Sequence, residues 1–129
     1  MNILDENITR DQVDLLRAWK VRCRWMSGEL SLQGMKDDNI IPFLLTVNRP
    51  TFFSRDSDFF GRDLIHARYC LVFLDAEVAE AAFFVRRVLK HPSLNTQALR
   101  MGKVIRAHAG GLELWSRGHG NSVTDTWPA

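Results

Sequence analysis

Two hydrophobic periods divide the chain into recognisable elements. Residues 1–5 form a short apolar run closed by Asp5, which predicts a buried strand. Thr9 followed three residues later by Gln12 has capping-box spacing, and Val13, Leu16 and the pair Leu15/Trp19 give the helix it opens an apolar side. Val21, Cys23 and Trp25 alternate with Arg22, Arg24 and Met26, the pattern of a strand with one buried face. Ile40, Ile41, Leu44 and Leu45 form a helical stripe behind Asp37-Asp38-Asn39. Pro42 is tolerated only in a first turn, so that helix is expected to begin at Asp38 or Asn39.

Thr51-Phe52-Phe53-Ser54 reads as a third strand, and 69–74, apolar throughout, as a fourth that is covered on both faces. Asp75 is placed to cap a helix over 76–90, whose stripe runs through Val78, Ala81, Ala82, Val85, Val88 and Leu89 before His91-Pro92 stops it. Leu94, Ala98 and Met101 suggest a short further helix closed by Gly102. Segments 103–109 and 112–117, joined at Gly110-Gly111, predict a β-hairpin, and the polar stretch 119–129 a loose tail. This order of elements is that of an α/β sandwich whose early strands run parallel. One domain is expected over 1–117, with a flexible tail over 118–129.

Composition narrows the class. The 129 residues are 46% hydrophobic and 25% charged, the balance of a folded globular domain rather than a disordered chain. No apolar run approaches the ~20 residues of a membrane span, and no signal peptide precedes the first strand, so a cytoplasmic protein without a membrane partner is expected. Cys23 and Cys70 lie in apolar runs without C-x-x-C spacing and read as reduced thiols. The net charge of +2 hides two clusters of positives: Arg17, Lys20, Arg22 and Arg24, then Arg86, Arg87, Lys90, Arg100, Lys103 and Arg106. If the acids gather in a pocket, the remaining surface suits a polyanion; otherwise these are solvated helix faces and strand edges.

The acids are placed where chemistry is expected. Ligands of open parallel sheets bind beyond the carboxyl ends of the strands. Asp5 closes the first strand, Asp56 and Asp58 follow the third, and Asp37 opens the helix before it. Carboxylates brought together repel one another and require a cation, a proton or basic neighbours. Hard oxygen ligands of this kind suit Mg²⁺ or Mn²⁺. Each acid also has a plainer role: Asp37 as a helix cap, Asp56 or Asp58 as turn residues. Asp5 is harder to explain that way, because a carboxylate ending an apolar strand is costly unless satisfied. Glu6 is expected on the opposite face and is the weaker candidate. His66, His91, His108 and His119 share no spacing that would hold zinc.

L-D-E-N at residues 4–7, D-D-N-I at 37–40 and S-R-D-S-D-F at 54–59 together resemble the compact PIN-like domains, among them stand-alone VapC-type toxins with L-D-E-N, S-D-x-x-I and T-x-D-x-D-F motifs. The similarity spans residues 1–116. It implies a PIN-like three-layer sandwich with a mostly parallel central sheet and a C-terminal β-hairpin. It also implies a Mg²⁺- or Mn²⁺-dependent ribonuclease, the toxin of a type II toxin–antitoxin pair, held in check by a cognate antitoxin. Asp5, Asp37, Asp56 and Asp58 would form the acidic quartet that holds the metal. Ser54, standing where the family usually has threonine, would orient a carboxylate or water. The sequence departs from the pattern in having Asp38 beside Asp37; the spacing to Ile40 favours Asp37.

On this resemblance a metal-activated water attacks an RNA phosphodiester, leaving 5′-phosphate and 3′-hydroxyl ends. Arg55, Arg62 and Arg68 would neutralise substrate phosphates or be simple surface charge. Trp25, Phe59 and Phe60 would stack on bases or belong to the core. An antitoxin would insert a basic side chain among the carboxylates, and Phe83 and Phe84 offer either a homodimer surface or core packing. Two other readings stay open. A receiver-like signalling domain would use Asp56 as phospho-acceptor, Asp5 and Glu6 as metal ligands and Lys103 as the late lysine. A catalytically inactive PIN-like module would serve binding alone.

Overall fold

The computed structural model describes residues 1–27 and 37–128. Its centre is a seven-stranded mixed sheet. The strands are β1 (Asn2–Leu4), β2 (Arg24–Trp25), β3 (Thr51–Ser54), β4 (Cys70–Leu74), β5 (Lys103–His108), β6 (Gly111–Ser116) and β7 (Val123–Asp125), in the order β2-β1-β3-β4-β5-β6-β7. The first five are parallel, and β6 and β7 continue the sheet antiparallel. Among the described residues four helices accompany them: α1 (Arg10–Ala18), α2 (Asp37–Leu44), α3 (Ala81–Lys90) and α4 (Gln97–Arg100). Among the described residues no helix is long and apolar enough to cross a membrane.

Strand alternation builds two cores, one on each face of the sheet. Leu4, Phe53, Val72 and Ile105 meet Val13 and Leu16 of α1 and Phe84, Val85 and Val88 of α3. Ile3, Phe52, Leu71 and Val104 meet Ile40 and Leu44 of α2, with Phe59. The register Ile3↔Phe52 and Leu4↔Phe53 keeps neighbouring strands in step, so consecutive residues serve opposite faces. β1 and β3 are adjacent, while their crossover helices α1 and α2 cover opposite faces. The carboxyl ends of β1 and β3 therefore flank the point at which the winding reverses.

Several local expectations are corrected, two of them by long-range contacts. Thr9 does precede α1, but its side chain caps no amide; its hydroxyl is given to Asp11. Gln12 is buried and its Oε1 accepts the Ala82 N–H of α3 at 2.9 Å, so it ties two helices together instead of closing a capping box. Pro42 lies beyond the first turn of α2, which begins at Asp37. Asp75 does not cap α3: a 3-10 turn over Val78–Glu80 intervenes, and Asp75 Oδ2 accepts Arg106 Nε and Nη2 at 2.9 and 2.7 Å. Phe84 is in the core whereas Phe83 is exposed, which leaves only half of the expected dimer pair on the surface.

The sheet also extends beyond the expected boundary at residue 117. Val123–Asp125 pairs with β6, and Gly111 makes this possible: its φ is +143°, and a Cβ there would lie 2.2 Å from the Asp125 carbonyl oxygen. Trp127 then folds over the first core and donates its indole N–H to the His108 carbonyl at 2.7 Å. His91 Nδ1 accepts from Ser93 N–H, so its Nε2 carries the proton and donates to the Thr126 carbonyl at 3.0 Å. The C-terminal segment is thereby held at three points.

The two cysteines differ in burial. Burial pushes the Cys70 thiol up to about 12, while Cys23 is half-buried beside β2. In native protein at pH 8, Ellman's reagent is expected to modify one thiol promptly, and Cys23→Ser to remove that fast phase. Two equally fast thiols would contradict this burial.

Candidate carboxylate site

The site grows out of the ends of β1 and β3. Asp5 continues the ladder past Leu4, its N–H donating to the Phe53 carbonyl at 2.9 Å, and its own carbonyl accepts Ile8 N–H at 3.1 Å to turn the chain. Alternation places Ile3 and Phe52 in the second core, so Asp5 and Ser54, two residues further along, share that face with α2. Both side chains are buried, Asp5 at 6% and Ser54 at 0% exposure.

A buried carboxylate needs donors, and Asp5 has two. Its Oδ2 accepts the Ser54 hydroxyl at 2.6 Å and its Oδ1 the Glu6 N–H at 2.7 Å. Ser54 Oγ in turn accepts from Asn7 Nδ2 at 3.1 Å and from Asp56 N–H at 3.0 Å, which uses the full capacity of the hydroxyl. Asn7 Oδ1 accepts Arg55 N–H at 3.2 Å, closing the bridge between the β1 and β3 ends. Asp56 Oδ1 accepts Asp58 N–H at 2.9 Å and opens the 3-10 turn Ser57–Phe59. Phe59 anchors this turn in the second core, edge-on to Phe52 at 5.1 Å between ring centroids.

Asp5 holds its proton more tightly than an ordinary carboxyl. Burial is the largest cause, and the charges of Glu6 and Asp56 push the same way, against the opposing pull of the Ser54 and Glu6 hydrogen bonds. Asp56 is thus an electrostatic neighbour of Asp5 as well as a partner through Ser54. A raised native value means the folded state keeps a proton that the unfolded chain has released. The stability from that proton is complete below the ordinary carboxylate range and is lost as pH rises through the native value. In metal-free buffer, the unfolding free energy of Asp5→Asn minus that of wild type should therefore climb with pH across this window. A flat difference would mean that Asp5 titrates normally.

The remaining candidates divide cleanly. Asp58 is exposed and lines, with Asp38, Ile41, Phe59 and Leu64, a cleft of about 340 Å³. Asp38 thus faces the same cleft as Asp58. The side chain of Asp37 lies outside the described residues, although its backbone begins α2. Glu6 is exposed, its N–H turned to Asp5. Among the described residues no group of three or more His, Cys, Asp or Glu side chains is gathered as a metal ion requires. Asp5 and Asp56 are brought together; Asp58 adjoins them through the turn. The donors fit a hard divalent cation in kind, being carboxylate oxygens, and their mutual repulsion adds to the larger effect of burial in raising the Asp5 proton affinity.

The flanking residues take other parts. Arg55 Nε donates to the Ala76 carbonyl at 3.3 Å, the Arg62 guanidinium lies 5.6 Å from the Trp115 ring, and Arg68 precedes the amino end of β4, away from the carboxylates. Phe59 is core, and Trp25 and Phe60 pack against the two cores. Asn7, which bridges Ser54 and Arg55 N–H, is the residue of the cluster that residue-by-residue reading passed over; its only signal was its place in the L-D-E-N run. Compared with known protein families, curated proteins and solved structures, the chain matches none.

Proposed function

We propose that this chain is a PIN-like, Mg²⁺- or Mn²⁺-dependent ribonuclease, the toxin of a type II toxin–antitoxin pair. The observation that carries this reading is the hydrogen-bonded path from Asp5 through Ser54 to Asp56 across the β1/β3 switch point. Asp5 and Asp56 would hold the ion, with Asp58 and the α2 acid Asp37 as further ligands. A bound divalent ion would supply a nucleophilic water at neutral pH and positive charge for the phosphodiester. Ser54 fixes the Asp5 carboxylate, and Asn7 fixes Ser54, so the ligand is oriented before any cation arrives. Burial of Asp5 excludes water from one side of the site. A cognate antitoxin would complement this cluster with a basic side chain.

The parallel strands share the 2-1-3-4-5 order of receiver domains, which keeps the signalling reading in play. The site argues against it. Lys103 opens β5 at the end opposite the carboxylates and donates to the Leu99 carbonyl, so it is remote from a phosphoryl group on Asp56. Purified protein incubated with a mixed RNA pool should cleave it with Mn²⁺ and not with EDTA, leaving 5′-phosphate ends. No cleavage of any RNA, or equal cleavage in EDTA, removes the ribonuclease reading; stable labelling by acetyl phosphate would favour the receiver.

A further inference from the structure

A second feature lies away from the carboxylates, on the C-terminal turns of α1 and α3. Arg17, Lys20, Arg22 and Arg24 line a groove of about 610 Å³ beside the edge strand β2. Arg86, Arg87 and Lys90 line another of about 610 Å³ with Phe83 and Trp127. The Arg86 guanidinium joins the two, lying 3.7 Å from the ring of Trp19 at the end of α1. Helix dipoles account for a cation or two at each helix end, but Arg22 and Arg24 belong to no helix.

Six cations of this band have no carboxylate partner among the described residues. Among the described residues Lys20, Arg22, Arg24, Arg86, Arg87 and Lys90 make no ion pair with a carboxylate, whereas Arg106 is paired to Asp75 at 2.7 Å and faces Glu113 at 3.9 Å. Lys20 even takes a left-handed backbone, φ +63°, at the end of α1, where glycine is the usual and cheaper residue. Aromatic rings are interleaved with the cations. Arg87 lies 4.2 Å from Trp127 and 5.2 Å from Phe83, and Phe83 is 43% exposed. A track of cations without carboxylate partners beside the exposed ring of Phe83 matches a sugar–phosphate backbone with unstacked bases; an acidic peptide would use the charge but not the ring.

We propose that this band binds single-stranded nucleic acid, independently of any metal and of the carboxylate site. Base stacking falls to Phe83, and the phosphates to the cations on either side of Arg86. The test is fluorescence anisotropy with a labelled 15-nucleotide oligouridylate in EDTA over a range of KCl concentrations. Wild type should bind with an affinity that falls steeply with salt. The exposed-charge variant Arg22→Gln/Arg24→Gln/Lys90→Gln should bind at least tenfold more weakly at low salt, with a log–log salt slope shallower by about 2, at ~0.7 per phosphate contact. Phe83→Ala should weaken binding about tenfold with the slope unchanged. Arg106→Gln, which removes a cation already paired, should leave both quantities as in wild type. Absence of binding, an unchanged slope in the triple variant, or tighter binding of a labelled 15-residue polyglutamate than of the RNA overturns the proposal. EDTA excludes cleavage, so these outcomes are separate from those that decide the ribonuclease reading.

Discussion

Asp5→Asn is expected to lower Mn²⁺-dependent RNA cleavage by about 10²–10³-fold, the scale of a few kcal/mol of lost charge stabilisation at ~1.36 kcal/mol per tenfold. Asparagine has one acceptor where Asp5 uses two, for Glu6 N–H and Ser54 Oγ. Ser54 already accepts from Asn7 and Asp56 N–H, so its proton loses its destination when an amide NH₂ replaces Oδ2. Charge and orientation are lost together. Asp56→Asn should cost activity on the same scale while sparing the fold, because an asparagine carbonyl can still accept Asp58 N–H and keep the turn. Ser54→Ala removes only the support of the proposed ligand Asp5 and should cost about 10–100-fold. Initial rates on one RNA substrate, with far-ultraviolet circular dichroism and melting of each variant, test this order. Wild-type activity in folded Asp5→Asn would sink the assignment of Asp5.

The order of these effects also shows which parts of the site were legible. Strand ends were readable because β1, β3 and β4 are short apolar runs, and a parallel sheet collects whatever follows them. That logic alone brings Asp5 to Ser54 and Asp56, residues about fifty positions apart. It could not supply Asn7, whose amide matters only because Ser54 Oγ and Arg55 N–H lie opposite it in the folded chain. Gln12 and Asp75 were misassigned for the same reason. Each suits a local cap, but a distant partner, Ala82 N–H or Arg106, offers a buried or charge-assisted bond instead. The seventh strand was hidden in a polar segment because its pairing rests on the missing Cβ of Gly111 and on Trp127, not on periodicity. Asp56 takes the turn reading, since it opens the 3-10 turn, and it is also an electrostatic neighbour of Asp5.

The largest stability losses are expected at Phe52 and Phe53, which are adjacent in sequence and fully buried in different cores. Truncating either to alanine should cost about 3–5 kcal/mol, a large share of the roughly 5–15 kcal/mol that holds a domain folded. Urea titration should show a lower midpoint with little change in slope. The two variants should differ at the site, however. Phe53 supports α1 and α3, on the face away from the Asp5 and Ser54 side chains. Phe52 lies two residues before Ser54 on their own face and holds Phe59 edge-on, which anchors the turn carrying Asp56 and Asp58. At a temperature where both variants are folded, Phe52→Ala should therefore also weaken the pH signature of Asp5, which rests first on the burial of that face and in smaller part on a close Asp56, while Phe53→Ala should retain it. Equal retention in both would mean that neither the burial of Asp5 nor the position of the Asp56 turn owes anything to the aromatic pair beneath them.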